Sequence, residues 1–330
     1  MEHYSPPDFW KPGRWASRLP QYYFDQMAEV VNPMVDEWFP LGQRNSSDAD
    51  YLRARHIFGR MEICQRDIMP WLHHAIPKLS DANVLEIGCG TGAATAPLAL
   101  ASKHVFALDL PHTDTRILNT RCALMGIDNV TCFLKPSGWT DIYARDPEAI
   151  CPKVDVVFAY ALLEHLLPRE RLEFLVGAWK QLPIGGHLVI VETHNRLYPF
   201  DWHSLYMPFA DQIPEDLAFY WASFSPRNGV PNSIIANTLA DLDRCSRERL
   251  YRYGRGASFH EFYIALGADA FKVVDAPAPD RSGFQGYDQN TIHSLREQLS
   301  LIDPVPHHYF AQPCLDLVIE KIGEARLKLE

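Results

Sequence analysis

The sequence predicts a doubly wound α/β fold on a seven-stranded sheet, with a helical cap before it and an insertion after the fifth strand. Three observations carry this. Apolar strands alternate with helical segments between residues 83 and 191, the rhythm of βαβ units. A glycine-rich turn, Gly88-Cys89-Gly90-Thr91-Gly92, joins the first strand to the helix after it. The alternation stops after Thr193 and resumes near Phe259.

Residues 1–80 carry no strand pattern. Between Ala49 and Leu79, the residues Leu52, Ile57, Met61, Ile63, Ile68, Trp71 and Leu72 recur at helical spacing, and Pro70 and Pro77 limit or kink the run. This part reads as a helical cap over the glycine-turn side of the core. Asn83–Ile87 is the first strand and Val105–Leu108 the second, ending in Asp109. Thr115–Met125 is a helix closed by Gly126. Val130–Phe133 and Val154–Ala159 are the third and fourth strands. A helix over Pro168–Leu182 has proline in its first turn and Pro183 just past its end.

Gly185-Gly186 turns the chain into the fifth strand, His187–Val191, and strands linked this way run parallel. Residues 196–256 are rich in aromatics and proline. Helix and strand then return as Phe259–Leu266, Phe271–Asp275, Thr291–Ser300 and Leu315–Lys321. The expected division is 1–80 cap, 81–195 core, 196–256 substrate lid and 257–330 C-terminal part of the sheet.

Composition narrows the function. The chain has 330 residues, 47% hydrophobic and 22% charged, enough for a sizeable core. Its net charge is −10. Nucleic-acid enzymes present a basic face, because neutralising phosphates supplies much of their affinity. The densest basic stretch, Arg244 to Arg255, has five arginines broken up by Glu248 and two tyrosines and reads as a solvated helix face. Seven cysteines without close pairs give neither a disulfide framework nor a zinc knuckle; they read as small buried hydrophobes in a reducing compartment. The N-terminus lacks a secretory pattern, and no apolar run reaches the ~18 residues of a membrane span. The expectation is a cytoplasmic protein with neither nucleic acid nor membrane as partner; composition leaves the oligomeric state open.

The chemistry starts at Glu86-Ile87-Gly88-Cys89-Gly90-Thr91-Gly92. Glycines there let backbone turn sharply and approach a ligand, and the helix start offers N–H groups to an anion. Gly88, Gly90 and Ala93 also fit the G-x-G-x-x-A pattern of dinucleotide-binding folds. Asp109, the seventeenth residue past Gly92, ends the second strand, where a carboxylate can accept from two ribose hydroxyls. Glu86, Gly92, Asp109 and the Gly-Gly-strand signature together resemble the class I methyltransferases that use S-adenosylmethionine (SAM). Leu162-Leu163-Glu164-His165-Leu166 is similar to the Leu-Glu-His motif of ubiquinone-pathway O-methyltransferases. Glu192-Thr193-His194-Asn195-Arg196 stands in place of that group's Thr-Pro-Asn-Arg stretch, with His194 where proline is usual. The resemblance covers about 81–195 well and 258–330 weakly.

The resemblance implies a Rossmann-like core with SAM as cofactor. It implies that Glu86, Gly88, Cys89, Gly90 and Gly92 line the methionine and ribose portion, that Asp109 holds the ribose, and that Leu110 covers one adenine face. Ser137 or Asp141 is left for the adenine N6 and Trp139 for stacking, since the acid that relatives carry near Ser137 is absent. Tyr160 falls at the sulfonium, and reads equally as a buried strand-end aromatic. Glu164 and His165 face the substrate side.

Methyl transfer is an in-line displacement that alignment and exclusion of water can drive. A base is needed only for a protonated nucleophile, and His165, His194, His203 and His260 are the candidates. Glu164, His165 and His194 are therefore the expected catalytic residues. No metal site is expected, because a Glu-His pair supplies two ligands and no third is named. The expected function is methylation of an oxygen or nitrogen nucleophile of a small molecule, enclosed by the apolar walls of the insertion. A nicotinamide-dependent oxidoreductase, on the glycine pattern alone, and a non-catalytic SAM-fold interaction protein are the alternatives.

Overall fold

The computed structural model describes residues 12–110, 115–134, 154–274, 288–301 and 308–328. The chain forms two compact units. Of the described residues, 12–110, 115–134 and 154–158 belong to the first, and 159–274, 288–301 and 308–328 to the second.

The first unit opens with α1 (Gln21–Trp38), whose Tyr23, Phe24, Met27, Ala28, Val31 and Val35 are buried. These positions recur every three to four residues and make one apolar stripe. The sequence treats this region only as irregular and helical, because Pro33 lies inside the helix and obscures the periodicity. A long helical run follows as α2 (Ser47–Ala54), α3 (Arg60–Ile63) and α4 (Met69–Ala75), joined by π-helical turns at Arg55–Gly59 and Cys64–Ile68. The Ser46 hydroxyl caps α2 by accepting from the Ala49 N–H at 3.3 Å. Pro70 does not break the run. It sits in the first turn of α4, where a missing N–H is tolerated.

β1 (Asn83–Ile87) leads through the glycine turn to α5 (Thr95–Ala101), then β2 (His104–Asp109), α6 (Thr115–Leu124) and β3 (Val130–Leu134). β1, β2 and β3 pair in parallel, with Ile87 opposite Leu108 and Asp109 opposite Leu134. Ala96 and Ile117, on α5 and α6, pack into one core with Ile57, Phe58, Met61 and the stripe of α1. β4 (Val156–Tyr160) is buried along its whole length.

The second unit contains a short 3₁₀ turn at Leu163–His165, then α7 (Pro168–Gln181) and β5 (His187–His194). A two-residue ribbon follows, β6 (Phe200–Asp201) against β7 (Met207–Pro208). Next come α8 (Glu215–Trp221), α9 (Arg247–Tyr253), α10 (His260–Leu266), β8 (Phe271–Val273), α11 (Gln289–Leu299) and β9 (Cys314–Lys321). Within 196–256, Ala218, Phe219, Ile234, Ala236 and Leu250 form one small core, and Leu205, Met207, Ala210 and Ala222 another. Among the described residues no helix is long and apolar enough to cross a membrane.

The seven-stranded sheet has the order β3-β2-β1-β4-β5-β9-β8. It departs from a parallel sheet at β9, which runs antiparallel to both β5 and β8. Apolar patterning reports burial on both faces, and Leu315, Leu317, Val318 and Ile319 satisfy that in either direction. A second difference lies in β5, which runs three residues past Val191. The β5–β9 register shifts between Ile190 and Thr193, Glu192 takes φ 56°, and its N–H donates to the buried Asp316 carboxylate at 2.7 Å. This bulge lets the strand continue to His194 and re-aims its side chains.

Candidate active site

The glycine turn is built around Asp109. The Gly88 and Cys89 N–H groups both donate to the Leu108 carbonyl, at 2.8 and 3.3 Å. The Asp109 carboxylate accepts from Gly90 N–H at 2.6 Å through Oδ2 and from Leu110 N–H at 2.7 Å through Oδ1. One side chain therefore orients both the turn and the start of the next loop. Each oxygen keeps a further lone pair for an incoming hydroxyl.

Two glycines of the turn differ in what they face. Gly90 has φ +50°, and a Cβ there would meet nothing within 4 Å, so its open side is free for a ligand. Gly92 has φ +72°, and a Cβ there would come 2.8 Å from Leu118 Cγ. Besides closing the turn, Gly92 allows α6 to pack. Thr91, between them, gives its carbonyl to Arg121 Nε at 3.2 Å.

Glu86, the acid of the motif, is buried and faces the start of α5. The Thr95 hydroxyl donates to it at 2.5 Å. Burial outweighs that hydrogen bond and pushes the Glu86 carboxyl up to about 8. A raised value means that the folded state holds this proton more tightly than the unfolded chain. Its contribution to stability is complete below the ordinary value of 4.5 and is lost as pH rises through about 8. Denaturant unfolding between these limits is expected to show stability falling with pH in the wild type and a flatter profile in Glu86→Gln. Identical slopes for the two proteins would rule this out. Cys89 is also buried; contact with the Cys132 thiol on β3 and then burial both push its thiol up. Leu110 is half-buried beside Asp109. Ser137, Trp139 and Asp141 lie outside the described residues.

In the second unit, Tyr160 ends β4 and is buried. Ala161 follows with φ 50° and donates its N–H to the Val191 carbonyl at 2.8 Å. The 3₁₀ turn then presents Glu164 and His165. Glu164 is 0% exposed, whereas the imidazoles of His165 and His203 are half-buried. Oε1 of Glu164 lies 4.0 Å from His165 Nε2 and 3.9 Å from His203 Nε2.

Three arginines hold this turn. Buried Arg171 donates to the carbonyls of Leu163, Leu166, Arg255 and Gly256, at 2.8, 3.0, 2.5 and 2.9 Å. Arg252 donates to the His165 carbonyl at 3.1 Å, and Arg255 N–H to the Glu164 carbonyl at 2.8 Å. These carbonyls would otherwise be costly to bury, so residues 252–256 clamp 163–166 in one geometry.

His194, aimed by the bulge, lies in a second cluster. Its Nε2 is 2.9 Å from Asp211 Oδ2 and 3.6 Å from Asp201 Oδ1, and all three groups are buried. Burial alone would lower the imidazole, but contacts with Asp211, Cys314 and Asp201 hold it well above its ordinary value. Placed between these two carboxylates, His194 links the insertion to β5. Asp201 also accepts from the N–H groups of His203, Ser204 and Leu205, at 2.8, 2.7 and 2.7 Å, and so orients His203. The rings of His194 and His203 stack at 6.3 Å. His260 stands apart, exposed on α10 against Phe310.

The structure thus brings Glu164 and His165 together with His203 and puts His194 next to them. Asp201, Asp211, Arg171, Arg252 and Arg255 escaped the sequence reading. Asp201-Trp202-His203 was a usable signal, an acid two residues before a histidine, but it sits in a stretch without periodicity.

Residues 58–243 match the family model described as a methyltransferase domain. Among curated proteins the chain is similar to a probable thiol methyltransferase 2 of Arabidopsis thaliana, 25% identical over 182 residues, 55% of this chain and 74% of the relative. Solved structures with local similarity include phosphoethanolamine N-methyltransferase 1 of Haemonchus contortus in complex with phosphoethanolamine and S-adenosylhomocysteine. It is 21% identical, covering 49% of this chain and 32% of that one, with a TM-score of 0.34. Another is the CcbJ methyltransferase of Streptomyces caelestis, 23% identical over 41% of this chain and 54% of that one, with a TM-score of 0.32.

Proposed function

The chain belongs to the methyltransferase-domain family, with S-adenosylmethionine as methyl donor, and from that premise we propose that it methylates an oxygen, nitrogen or sulfur nucleophile of a small molecule. The observation that carries the cofactor half of this reading is the Asp109 carboxylate bridging Gly90 and Leu110 beside an open Gly90. Asp109 then takes the ribose hydroxyls, with Gly88, Cys89, Gly90 and Leu110 as neighbours. The acceptor half rests on the net charge of −10, which disfavours phosphate backbones, and on the aromatic insertion of 196–256, which suits a compact apolar ligand. The thiol named for the Arabidopsis relative adds sulfur to the nucleophiles.

In the reaction the bond from the SAM sulfonium to its methyl breaks, and the methyl bonds to the acceptor heteroatom. The products are S-adenosylhomocysteine and methylated acceptor, and the acceptor's proton leaves to solvent. Side chains of the protein need only orient the two partners and hold or take that proton. Glu164, His165 and His203 line the acceptor side in this reading and orient the nucleophile, while His194 lies between Asp201 and Asp211. Residues 196–256 serve as the substrate lid.

Calorimetric titration of the purified chain with SAM, NAD⁺ and NADP⁺ is the test. SAM binding without nicotinamide binding is the expected result. Saturable NAD⁺ or NADP⁺ binding without SAM binding would replace the proposal by the oxidoreductase reading. Release of S-adenosylhomocysteine on adding hydroxyl, amine or thiol compounds then identifies the acceptor class.

A further inference from the structure

We propose that Glu164, His165 and His203 form a binding site for a first-row divalent transition ion whose open positions take an ionisable hydroxyl or thiol of the methyl acceptor. The three side chains offer one ligand atom each within 4.8 Å of one another. Two imidazoles and one carboxylate are a borderline donor set. It suits zinc, iron(II) or cobalt(II) better than magnesium or calcium, which prefer all-oxygen cages. Bonds of about 2.0–2.1 Å put ligand atoms of a tetrahedral ion roughly 3.4 Å apart. The observed 3.9 and 4.0 Å therefore need only a small closure, which two half-buried imidazoles can make by rotating.

The surroundings of the two histidines favour ligation independently. Nδ1 of His165 lies 3.0 Å from the Arg252 carbonyl, which can only accept. The proton of neutral His165 is therefore on Nδ1, and Nε2 carries the lone pair. Nδ1 of His203 lies 3.1 Å from Ser204 Oγ, whose own hydroxyl donates to the Gly254 carbonyl at 2.6 Å. That hydroxyl is thus the acceptor for His203 Nδ1–H, and again Nε2 carries the lone pair. Both lone-pair nitrogens are the atoms nearest Glu164 Oε1. Outer hydrogen bonds that fix the tautomer in this way are a regular feature of metal-ligating histidines.

The turn is clamped by Arg171, Arg252 and Arg255, so two of the three ligands come preorganised. His203 comes from the insertion, oriented by Asp201. Three protein ligands with partly exposed histidines leave coordination positions open, the arrangement of a site that binds and acidifies a ligand rather than a purely structural one. The acceptor role rests on the methyltransferase reading above, whereas ion binding does not.

The test uses the full-length chain treated with EDTA, titrated with Co²⁺ followed optically and with Zn²⁺ by calorimetry. The expected result is one equivalent of each, with the visible bands of a four- or five-coordinate Co²⁺ ion. His165→Ala and His203→Ala, at half-buried positions, should each weaken Zn²⁺ binding at least about 100-fold, and Ser204→Ala about 10-fold, with circular dichroism unchanged. Wild-type Zn²⁺ binding no tighter than about millimolar, or binding unaffected by both histidine substitutions, overturns the site. SAM titrations on the same samples separate the two readings. SAM binding that persists in His203→Ala while Zn²⁺ binding is lost supports a site distinct from the cofactor cradle. Zn²⁺ bound through these residues by a wild type that does not bind SAM supports the ion site and overturns the cofactor reading.

Discussion

Asp109→Ala is expected to weaken SAM binding by roughly 30- to 1,000-fold, about 2–4 kcal/mol, with the fold retained. Two effects add. The substitution removes a charged acceptor for a pair of ribose hydroxyls. It also releases the Gly90 and Leu110 N–H groups that the carboxylate now holds at 2.6 and 2.7 Å. The second effect loosens the turn itself, so the loss exceeds that of a contact made only to ligand. Asp109→Asn separates the two, because an amide keeps one acceptor oxygen for the turn but lacks the charge. Calorimetry should rank the affinities as wild type, then Asn, then Ala. An alanine variant that binds SAM like the wild type would remove Asp109 from the cofactor site.

Arg121→Met is expected to lower the stability of the first unit by about 3–5 kcal/mol, read as a fall in the denaturant midpoint. Arg121 is fully buried on α6. Its guanidinium donates to the Tyr23 hydroxyl at 2.5 Å and to the carbonyls of Ile57, His56 and Thr91 at 2.9, 2.6 and 3.2 Å. One side chain thus links α1, the π-helical turn at Arg55–Gly59 and the glycine turn. Methionine keeps much of the length and apolar volume but leaves those buried carbonyls without their donor. A loss under about 1 kcal/mol would mean that water or neighbouring groups replace the arginine. Because Thr91 belongs to the glycine turn, SAM affinity below the unfolding transition should fall as well, though less than in Asp109→Ala.

The cofactor half of the candidate site was legible because it is local. β1, the glycine turn, α5 and Asp109 lie within residues 83–109, and parallel pairing of β1 with β2 makes neighbours of their C-terminal ends. Short-range rules of strand, turn and helix suffice there. Even so, the sequence did not distinguish Gly90, which borders open space, from Gly92, which makes room for Leu118. The acceptor half was only partly legible. Glu164 and His165 are adjacent in the chain, but His203 comes from 38 positions further on, inside a segment with neither helical nor strand periodicity. His194 was expected among the catalytic groups. Its setting between Asp201 and Asp211 depends on a bulge at Glu192 that Asp316, on β9, makes possible.

The methyl-transfer chemistry came through the resemblance to a known family; by itself the sequence determined the strands and helices of the core, the position of the glycine turn and the acid at the end of β2. Each follows from periodicity, glycine geometry or strand-end placement, which act over a few residues. Only the tertiary structure decided that β9 runs antiparallel between β5 and β8, that Arg121 and Arg171 tie buried carbonyls together, and that His203 joins Glu164 and His165. Those outcomes depend on which groups meet across long stretches of chain. Burial makes an unmatched carbonyl or carboxylate costly, so the partners that satisfy it are chosen by the packed fold, whatever their distance in sequence.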